Sequence, residues 1–212
     1  QVKIADLDGN GFIDPGNFAV DDHGDLRKIG NSSPRYHYGI NFSANWNGID
    51  FAVFFQGVGK RDWYPTANKD DIYGANQFWQ LYGYTIPSFI TYDFMDDVWS
   101  EQNPGGYFPR LRPIQSYNGG PLGQNNDRYL QSVAYLRFKN LTIGYTLPVL
   151  KKYLSKLRIY VSGENLCYWS PLKKHCKLID PELAISSGTY KGGTGTGYTM
   201  PRTFSFGVDI TF

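Results

Sequence analysis

Phe204-Ser-Phe-Gly-Val-Asp-Ile-Thr-Phe212 decides the fold, because apolar and polar residues alternate through it without a break. Successive side chains of a β-strand point to opposite faces. One face of this stretch therefore carries only apolar residues, namely Phe204, Phe206, Val208, Ile210 and Phe212. The other face carries Ser205, Gly207, Asp209 and Thr211. The pattern predicts a strand with an apolar environment on one side and water on the other.

The same alternation upstream predicts a hairpin. Residues 36–46 and 49–58 alternate, and Asn47-Gly48 between them is the strongest two-residue hairpin signal, since a type I′ turn needs positive φ at both positions. Cross-strand partners share a face. A two-residue loop places the apolar residues of both strands on one side, through the pairs Trp46–Ile49, Ala44–Phe51, Phe42–Val53 and Ile40–Phe55.

Two further strand regions follow. Residues 133–147 and 157–166 predict a second hairpin, and residues 202–212 form the last strand. The apolar phase changes near Lys139-Asn140, which indicates a β-bulge. Residues 148–156, which begin with Pro148, are suited to a helical turn between the two strands.

The connections alternate in length. Short links at 47–48 and 148–156 separate long ones at about 59–130 and 167–200. Membrane barrels have short periplasmic turns and long extracellular loops. We therefore predict an all-β, antiparallel transmembrane β-barrel segment of about five strands, with residues 1–35 extracellular, residues 36–212 forming the C-terminal strands, and the C-terminus periplasmic. About eight strands are the minimum for closure, so we expect the remaining strands before Gln1.

Composition agrees with this fold without requiring it. Aromatic residues make up 17% of the 212 residues, which suits both the girdles of a membrane barrel and a sugar-stacking surface. The net charge of +2 gives no sign of a nucleic-acid partner. No apolar run is long enough for a transmembrane helix. Cys167 and Cys176 are close enough in sequence to form a disulfide, and two thiols are equally compatible with the sequence.

The N-terminal segment matches the front of a calcium-binding loop. Asp6-Leu-Asp-Gly-Asn-Gly-Phe-Ile-Asp14 has oxygen ligands at positions 1, 3 and 5 and the glycine at position 6 that permits a sharp turn. Position 12 is Asn17, so a later carboxylate, Asp25 or Asp21 with Asp22, is needed to complete the shell. The tentative calcium ligands are Asp6, Asp8, Asn10, Phe12 through its carbonyl, Asp14 and Asp25. The alternative is an Asx-rich turn satisfied by its own backbone.

No pattern indicates catalysis, and we predict that the chain is not an enzyme. His23, His37 and His175 are scattered, and no carboxylate pair is distinctive. The long segment 59–130 is rich in aromatic rings, which either pack the loop or contact a substrate or a lid. The candidates for such contacts are Trp63, Tyr64, Trp79 and Tyr82.

A series of blocks, in order along the chain, resembles the late part of SusC/RagA-like TonB-dependent outer-membrane transporters. The blocks are Asp8-Gly-Asn-Gly-Phe-Ile-Asp14, Ile29-Gly-Asn-Ser-Ser-Pro-Arg-Tyr36, Tyr38-Gly-Ile-Asn-Phe42, Phe54-Phe-Gln-Gly-Val-Gly-Lys-Arg-Asp62, Tyr107-Phe-Pro-Arg-Leu111, Tyr135-Leu-Arg-Phe-Lys-Asn-Leu-Thr-Ile-Gly-Tyr-Thr-Leu-Pro148, Tyr160-Val-Ser-Gly-Glu-Asn-Leu166, Asp180-Pro-Glu182 and Pro201-Arg-Thr-Phe-Ser-Phe-Gly-Val-Asp-Ile-Thr-Phe212. The spacing departs from that family mainly at 15–24, between the calcium-like loop and Gly24-Asp-Leu-Arg27.

The resemblance implies a 22-stranded barrel in the bacterial outer membrane that imports glycans or peptides. It implies a SusD-like lipoprotein as an extracellular lid, and a plug and a TonB-contacting segment that we expect before Gln1. The barrel-assembly machinery would read the terminal strand, through Phe204, Phe206, Val208, Ile210 and Phe212. The alternatives are a secreted, calcium-stabilised carbohydrate-binding β-sandwich, or an extracellular β-rich hydrolase, which would need a carboxylate pair in a cleft.

Overall fold

The structure is a computed structural model that describes residues 4–64, 80–81, 96–110, 112–113, 126–148, 154–177, 179–184 and 200–212. Its strands are β1 (Arg35–Trp46), β2 (Ile49–Lys60), β3 (Asp62–Trp63), β4 (Gln80–Leu81), β5 (Arg112–Pro113), β6 (Gln131–Ser132), β7 (Tyr135–Leu147), β8 (Lys156–Trp169) and β9 (Thr203–Thr211). One short 3-10 helix, Pro171–Lys174, follows β8. The described residues contain no helix long and apolar enough to cross a membrane.

The five long strands form one antiparallel sheet in the order β1-β2-β7-β8-β9. This confirms the all-β fold with five neighbouring strands, and the described strands form an open sheet. The sheet has four neighbouring strand pairs. Short links join β1 to β2 and β7 to β8, and long connections join β2 to β7 and β8 to β9. Two minor pairs, β3 with β6 and β4 with β5, lie outside the main sheet.

The first hairpin has the predicted register. Asn47 and Gly48 have φ values of 47° and 86°, as a type I′ turn requires. All four predicted pairs are present, namely Trp46–Ile49, Ala44–Phe51, Phe42–Val53 and Ile40–Phe55. The turn chemistry and the hydrophobic pattern therefore specify the same register, which is why local sequence sufficed to predict it.

The predicted bulge lies at Lys139. Phe54 pairs with Asn140 and Phe55 pairs with Phe138, so Lys139 is an extra residue in β7. The apolar residues of β7 are even-numbered before the bulge and odd-numbered after it. Because of the extra residue, both sets lie on the same face of the sheet. β8 has its own irregularity opposite, at Asn165, whose φ is 51°. Strand β8 also runs three residues beyond its predicted end, to Trp169, and so includes Cys167.

One face of the sheet is apolar and uncovered. The cross-strand pairs place apolar side chains of all five long strands on this outer face. Phe42 is 56% exposed, Ile159 38% and Phe206 70%, whereas Val53 is buried among its own neighbours. No second layer of described residues covers the outer face. A soluble β-sandwich would enclose these residues, so the arrangement favours lipid as the environment of this face.

The hydrophobic core lies beyond one end of the sheet instead of on it. It consists of Trp63, Tyr64, Val98, Phe108, Tyr129, Val133, Leu172, Cys176, Ile179 and Ala184. These residues belong to the long connections that leave β2 and β8. We call this group the loop core, and the end of the sheet beside it the long-loop end; the opposite end, with the 47–48 turn, is the short-turn end.

Residues 4–34 are irregular, and their last part is attached to the loop core. Asn31 and Asp62 exchange two hydrogen bonds of 2.9 Å, and the Arg61 Nε donates to the Ser32 carbonyl at 3.2 Å. Arg27 forms an exposed ion pair with Asp127. The segment before β1 therefore lies at the long-loop end.

Candidate functional site

The inner face of the sheet is polar and carries a charged cluster near the short-turn end. The guanidinium of Arg158 binds Asp50 through two hydrogen bonds of 2.8 and 2.6 Å, and it donates to Asp209 at 2.8 Å. The three residues come from β8, β2 and β9, so the cluster ties strands that are not all adjacent. Bidentate arginine–carboxylate pairs are among the stronger charge-assisted hydrogen bonds.

Gly144 of β7 makes room for this cluster. Asp50 pairs with Gly144, and Arg158 must cross β7 to reach it. A Cβ atom at position 144 would lie 2.5 Å from the Asp50 Oδ1 and 2.7 Å from the Arg158 guanidinium nitrogens. A side chain at position 144 would therefore require the ends of Asp50 and Arg158 to shift.

A second cluster lies on the inner face toward the long-loop end and is buried. Arg137 is ion-paired with Asp180 and lies 3.3 Å from Glu182, and Lys139 lies 3.4 Å from Glu182. The Arg137 guanidinium also lies over the ring of Tyr168 at 4.9 Å. The side chain of Arg137 is 2% exposed and that of Asp180 5%. The cluster thus anchors residues 179–184 of a long connection against the inner wall of the sheet.

The Asp-rich loop brings together three of its predicted calcium ligands. Single carboxylate oxygens of Asp6, Asp8 and Asp25 lie within 4.8 Å of one another. Asp6 accepts hydrogen bonds from the backbone N–H groups of Gly9 and Gly11, which form the sharp turn of the loop. Hard, mobile carboxylate oxygens at this spacing suit Ca²⁺. The donor set therefore fits the ion.

Asp25 closes the loop across the inserted residues. Its carboxylate accepts hydrogen bonds from the backbone N–H of Leu7 and, at 2.9 Å, from that of Asp14. These hydrogen bonds lower the pKa of Asp25 below its ordinary value of 3.8, with the Leu7 N–H as the largest cause. Asp25 thus adds a carboxylate to the loop, whose position 12, Asn17, has none.

The other two predicted side-chain ligands are engaged in local hydrogen bonds. The Asn10 side chain accepts from the Phe12 N–H at 2.7 Å, and its amide donates to Asp8 at 3.0 Å and to Asp14 at 3.4 Å. Asp14 also accepts from the Gly16 N–H at 2.8 Å. These are the Asx-turn contacts of the alternative interpretation, and they coexist with the carboxylate cluster.

The two described aromatic candidates are buried in the loop core. Trp63 is 1% exposed and Tyr64 9%, and the Asn126 amide donates to the Tyr64 hydroxyl at 2.8 Å. Rings enclosed in this way have no open face for a sugar or a lid, so the expected contact role is corrected to packing for these two. Trp79 and Tyr82 lie outside the described residues.

A stacked pair of rings joins two long connections inside the loop core. Tyr107 stacks on His175 with centroids 3.6 Å apart, and the His175 Nδ1 lies 2.6 Å from an Asp97 carboxylate oxygen. Burial raises the pKa of Tyr107, whose hydroxyl accepts from the Gln131 amide at 3.0 Å. Cys176 follows His175 into this core and Cys167 lies in β8, and no disulfide joins them.

The residues of the predicted assembly signal lie along β9 and just after it. Phe204 is 75% exposed and Phe212 90%, and Phe206, Val208 and Ile210 are also exposed on the outer face. The two inner-face charge clusters were not predicted from the sequence. For the cluster near the short-turn end, the sequence did place Asp50, Arg158 and Asp209 on the polar faces of predicted strands. Alternation alone does not distinguish paired charges from solvated ones.

Comparisons with known proteins agree with the geometry. TonB-dependent receptor P26 of Formosa agariphila is 25% identical over 219 residues, which cover 100% of this chain and 19% of the receptor. TonB-dependent receptor P3 of the same organism is 28% identical over 224 residues, which cover 99% of this chain and 19% of the receptor. The chain thus spans about a fifth of the length of these relatives. No family model matches it.

Solved structures show the same fold. The structure of the RagAB peptide transporter superposes with a TM-score of 0.56 at 19% identity, over 88% of this chain and 18% of that one. The RagAB peptide importer in its open-open state superposes with a TM-score of 0.54, also at 19% identity and over the same shares.

The sheet has one exposed apolar face and one polar face, and its superposition on these structures supports the predicted fold class, an antiparallel β-barrel segment. The chain is thus similar in sequence to two curated TonB-dependent receptors and in fold to the RagAB transporter, in agreement with the resemblance read from the sequence.

Proposed function

We propose that the protein to which this chain belongs actively imports glycans or peptides across the outer membrane, with energy delivered through TonB. The observation that supports this most is the continuous apolar outer face opposite a polar, charged inner face, since a barrel wall separates lipid from an aqueous lumen. The similarity to the RagAB peptide importer supports a peptide as one substrate class. The chain itself performs no covalent chemistry in this proposal.

The same topology supports an orientation. The 47–48 turn and the 148–155 link are short, whereas the connections at 61–134 and 170–202 are long. Short turns face the periplasm in such barrels and long loops face outward. We infer that the loop core is extracellular and that the C-terminus is periplasmic.

The partners follow from this orientation. A SusD-like lipoprotein would meet the extracellular long-loop end, and TonB would act through a part of the protein outside this chain. Outer-membrane lipid would contact the apolar face. The barrel-assembly machinery would recognise β9 through its outer residues, which are Phe204, Phe206, Val208, Ile210 and Phe212.

Calcium is proposed as a structural ion of the Asp-rich loop. The convergent carboxylates of Asp6, Asp8 and Asp25 would hold it, with Asn10, Asp14 and the Phe12 carbonyl as the remaining predicted ligands. Bound Ca²⁺ would neutralise the mutual repulsion of the carboxylates and fix the segment that precedes β1.

Uptake by cells tests the transport proposal. The full-length protein is expressed in a strain that lacks it, and accumulation of labelled oligopeptides and oligosaccharides is measured with and without a protonophore. We expect accumulation of one substrate class that requires both the protein and the proton-motive force. If each substrate class accumulates equally in the strains with and without the protein, the proposal is rejected.

The carbohydrate-binding β-sandwich remains the comparison case for this test. It would need a second sheet over the outer face, and the described residues supply none. It would also stay soluble without detergent. Fractionation of the full-length protein into the soluble phase would favour it.

A further inference from the structure

Two rows of residues across the sheet mark the edges of the apolar face. Trp46, Ile49 and Tyr145 lie in one row at the short-turn end, and Tyr38, Gly57, Leu136 and Trp169 lie in another at the long-loop end. The rows are eight residues apart along β1, or roughly 20 Å in height for a strand tilted by about 40°. Tryptophan and tyrosine at both edges are typical of the two membrane–water interfaces.

An open groove of about 690 Å³ lies at the long-loop row. Its lining comes from the four neighbouring strands β1, β2, β7 and β8 and from the residues after β8, and includes Tyr38, Leu136, Cys167, Trp169 and Pro171. The ring of Tyr38 extends over Gly57, and its hydroxyl donates to the Tyr135 carbonyl at 2.9 Å. The ring forms one wall of the groove. Trp169 remains 54% exposed at the other side. The groove is therefore continuous with the face that we assign to lipid.

One residue of the groove wall is a lysine. Lys173 lines it from the 3-10 helix, and its ammonium donates to the Tyr168 carbonyl at 2.7 Å and lies 3.9 Å from the centre of the Tyr168 ring. An ammonium has three donors, and the carbonyl takes one of them. The charge is thus held in place beside the groove with donors left for a ligand.

The segment around Lys173 is rich in lysine, and the one carboxylate described beside it, Asp97, is paired with His175. Lys174 and Lys177 are also exposed, and no acidic residue occurs between residues 170 and 177. Among the described residues, none of these three lysines takes part in an ion pair. An apolar groove with uncompensated cations at its interfacial edge complements a lipid that carries a phosphate above its acyl chains.

We propose that this groove binds an anionic, phosphate-bearing membrane lipid of the extracellular leaflet. The acyl chain lies against Leu136, Cys167 and Trp169, and the phosphate accepts hydrogen bonds from Lys173. The inference rests on the proposed orientation of the barrel, which places the long-loop row in that leaflet. It does not depend on which substrate is imported.

Native mass spectrometry of the full-length protein in detergent tests the proposal. Phosphatidylglycerol is titrated against phosphatidylcholine with the same acyl chains. We expect the anionic lipid to bind more tightly, and Lys173→Gln to weaken its binding about fivefold, as the loss of one interfacial lysine implies. Lys156→Gln, at an exposed lysine at the short-turn end of β8, is the matched control and should change nothing.

A second variant tests the acyl part of the groove. Cys167→Phe adds apolar bulk on the outer face without changing charge, and it should reduce binding of the anionic lipid while leaving the barrel folded on a heat-modifiability gel. Equal binding of the two lipids, or equal effects of Lys173→Gln and Lys156→Gln, would overturn the proposal. Uptake by the same variants is measured in parallel. Normal uptake together with no preference for the anionic lipid would reject the lipid site but not the transport function.

Discussion

At the scale of single residues, the calcium proposal depends on carboxylates that only a folded loop brings together. Calcium should raise the melting temperature of the intact protein, and Asp8→Ala should abolish the rise because it removes one of three convergent oxygen ligands. Asp21→Ala, an exposed carboxylate in the inserted segment, should keep it. Calorimetry with and without chelator measures the shift, and its absence in the unmodified protein would reject the site.

The pH dependence of this loop follows from Asp25. Backbone hydrogen bonds from Leu7 and Asp14 lower its pKa, so the stabilisation it contributes is fully present above the ordinary value of 3.8. That contribution is lost as the pH falls through the lowered pKa. We therefore expect the calcium-dependent shift of the melting temperature to persist at pH 5 and to decline only as the pH falls below about 4. A loss centred near neutral pH would point to a different group.

Gly144 gives a residue-scale prediction for the inner face. Gly144→Ala should displace the ends of Asp50 and Arg158, because its Cβ would lie 2.5 Å from the Asp50 Oδ1. We expect a loss of at most about 1 kcal/mol in the free energy of unfolding, since both side chains are partly exposed and can shift. Gly105→Ala, where a Cβ meets nothing within 4 Å, is the control in urea titrations of the protein in detergent. Equal midpoints for the two variants would contradict the bridging role.

At the scale of elements, two lysine substitutions in β2 test which of its faces contacts lipid. Val53 pairs with Phe42, which lies midway between the aromatic residues Tyr38 and Trp46, so Val53 faces the centre of the apolar band. Val53→Lys should cost about 2–4 kcal/mol at that depth. Ala52→Lys, one residue away on the inner face, should cost much less. Comparable folding yields for the two variants would show that the face assignment is wrong.

The elements also show what alternation predicts and where it stops. The 47–48 hairpin and the bulge at Lys139 were predictable because turn chemistry and phase are local properties of the chain. The extension of β8 to Trp169 was not, since the φ of 51° at Asn165 lets the strand continue past a break in the pattern. Long-range pairs such as Arg158 with Asp50 depend on strand order across β7, which the sequence does not state.

At the scale of the whole molecule, the sheet and the loop core are separate apolar regions joined by few polar contacts. The sheet exposes its apolar face, and the loop core encloses its own residues beyond the sheet. The connection that follows β2 and the connection that follows β8 meet through the Tyr107–His175 stack. The main link between wall and loops on the inner side is the buried Arg137–Asp180 pair. This pair holds residues 179–184 of the long connection against the inner face of the sheet.

Breaking the Arg137–Asp180 ion pair should detach residues 179–184 without unfolding the sheet. Arg137→Met leaves the Asp180 carboxylate buried without its partner, a change that typically costs about 3–5 kcal/mol. Arg27→Met, in the exposed pair with Asp127, should cost at most about 1 kcal/mol. Hydrogen exchange of the full-length protein in detergent should show lost protection at residues 179–184 in Arg137→Met alone, with β7 and β8 still protected. Unchanged exchange there would mean that apolar packing of Ile179 and Ala184, and not the ion pair, holds the loops to the wall.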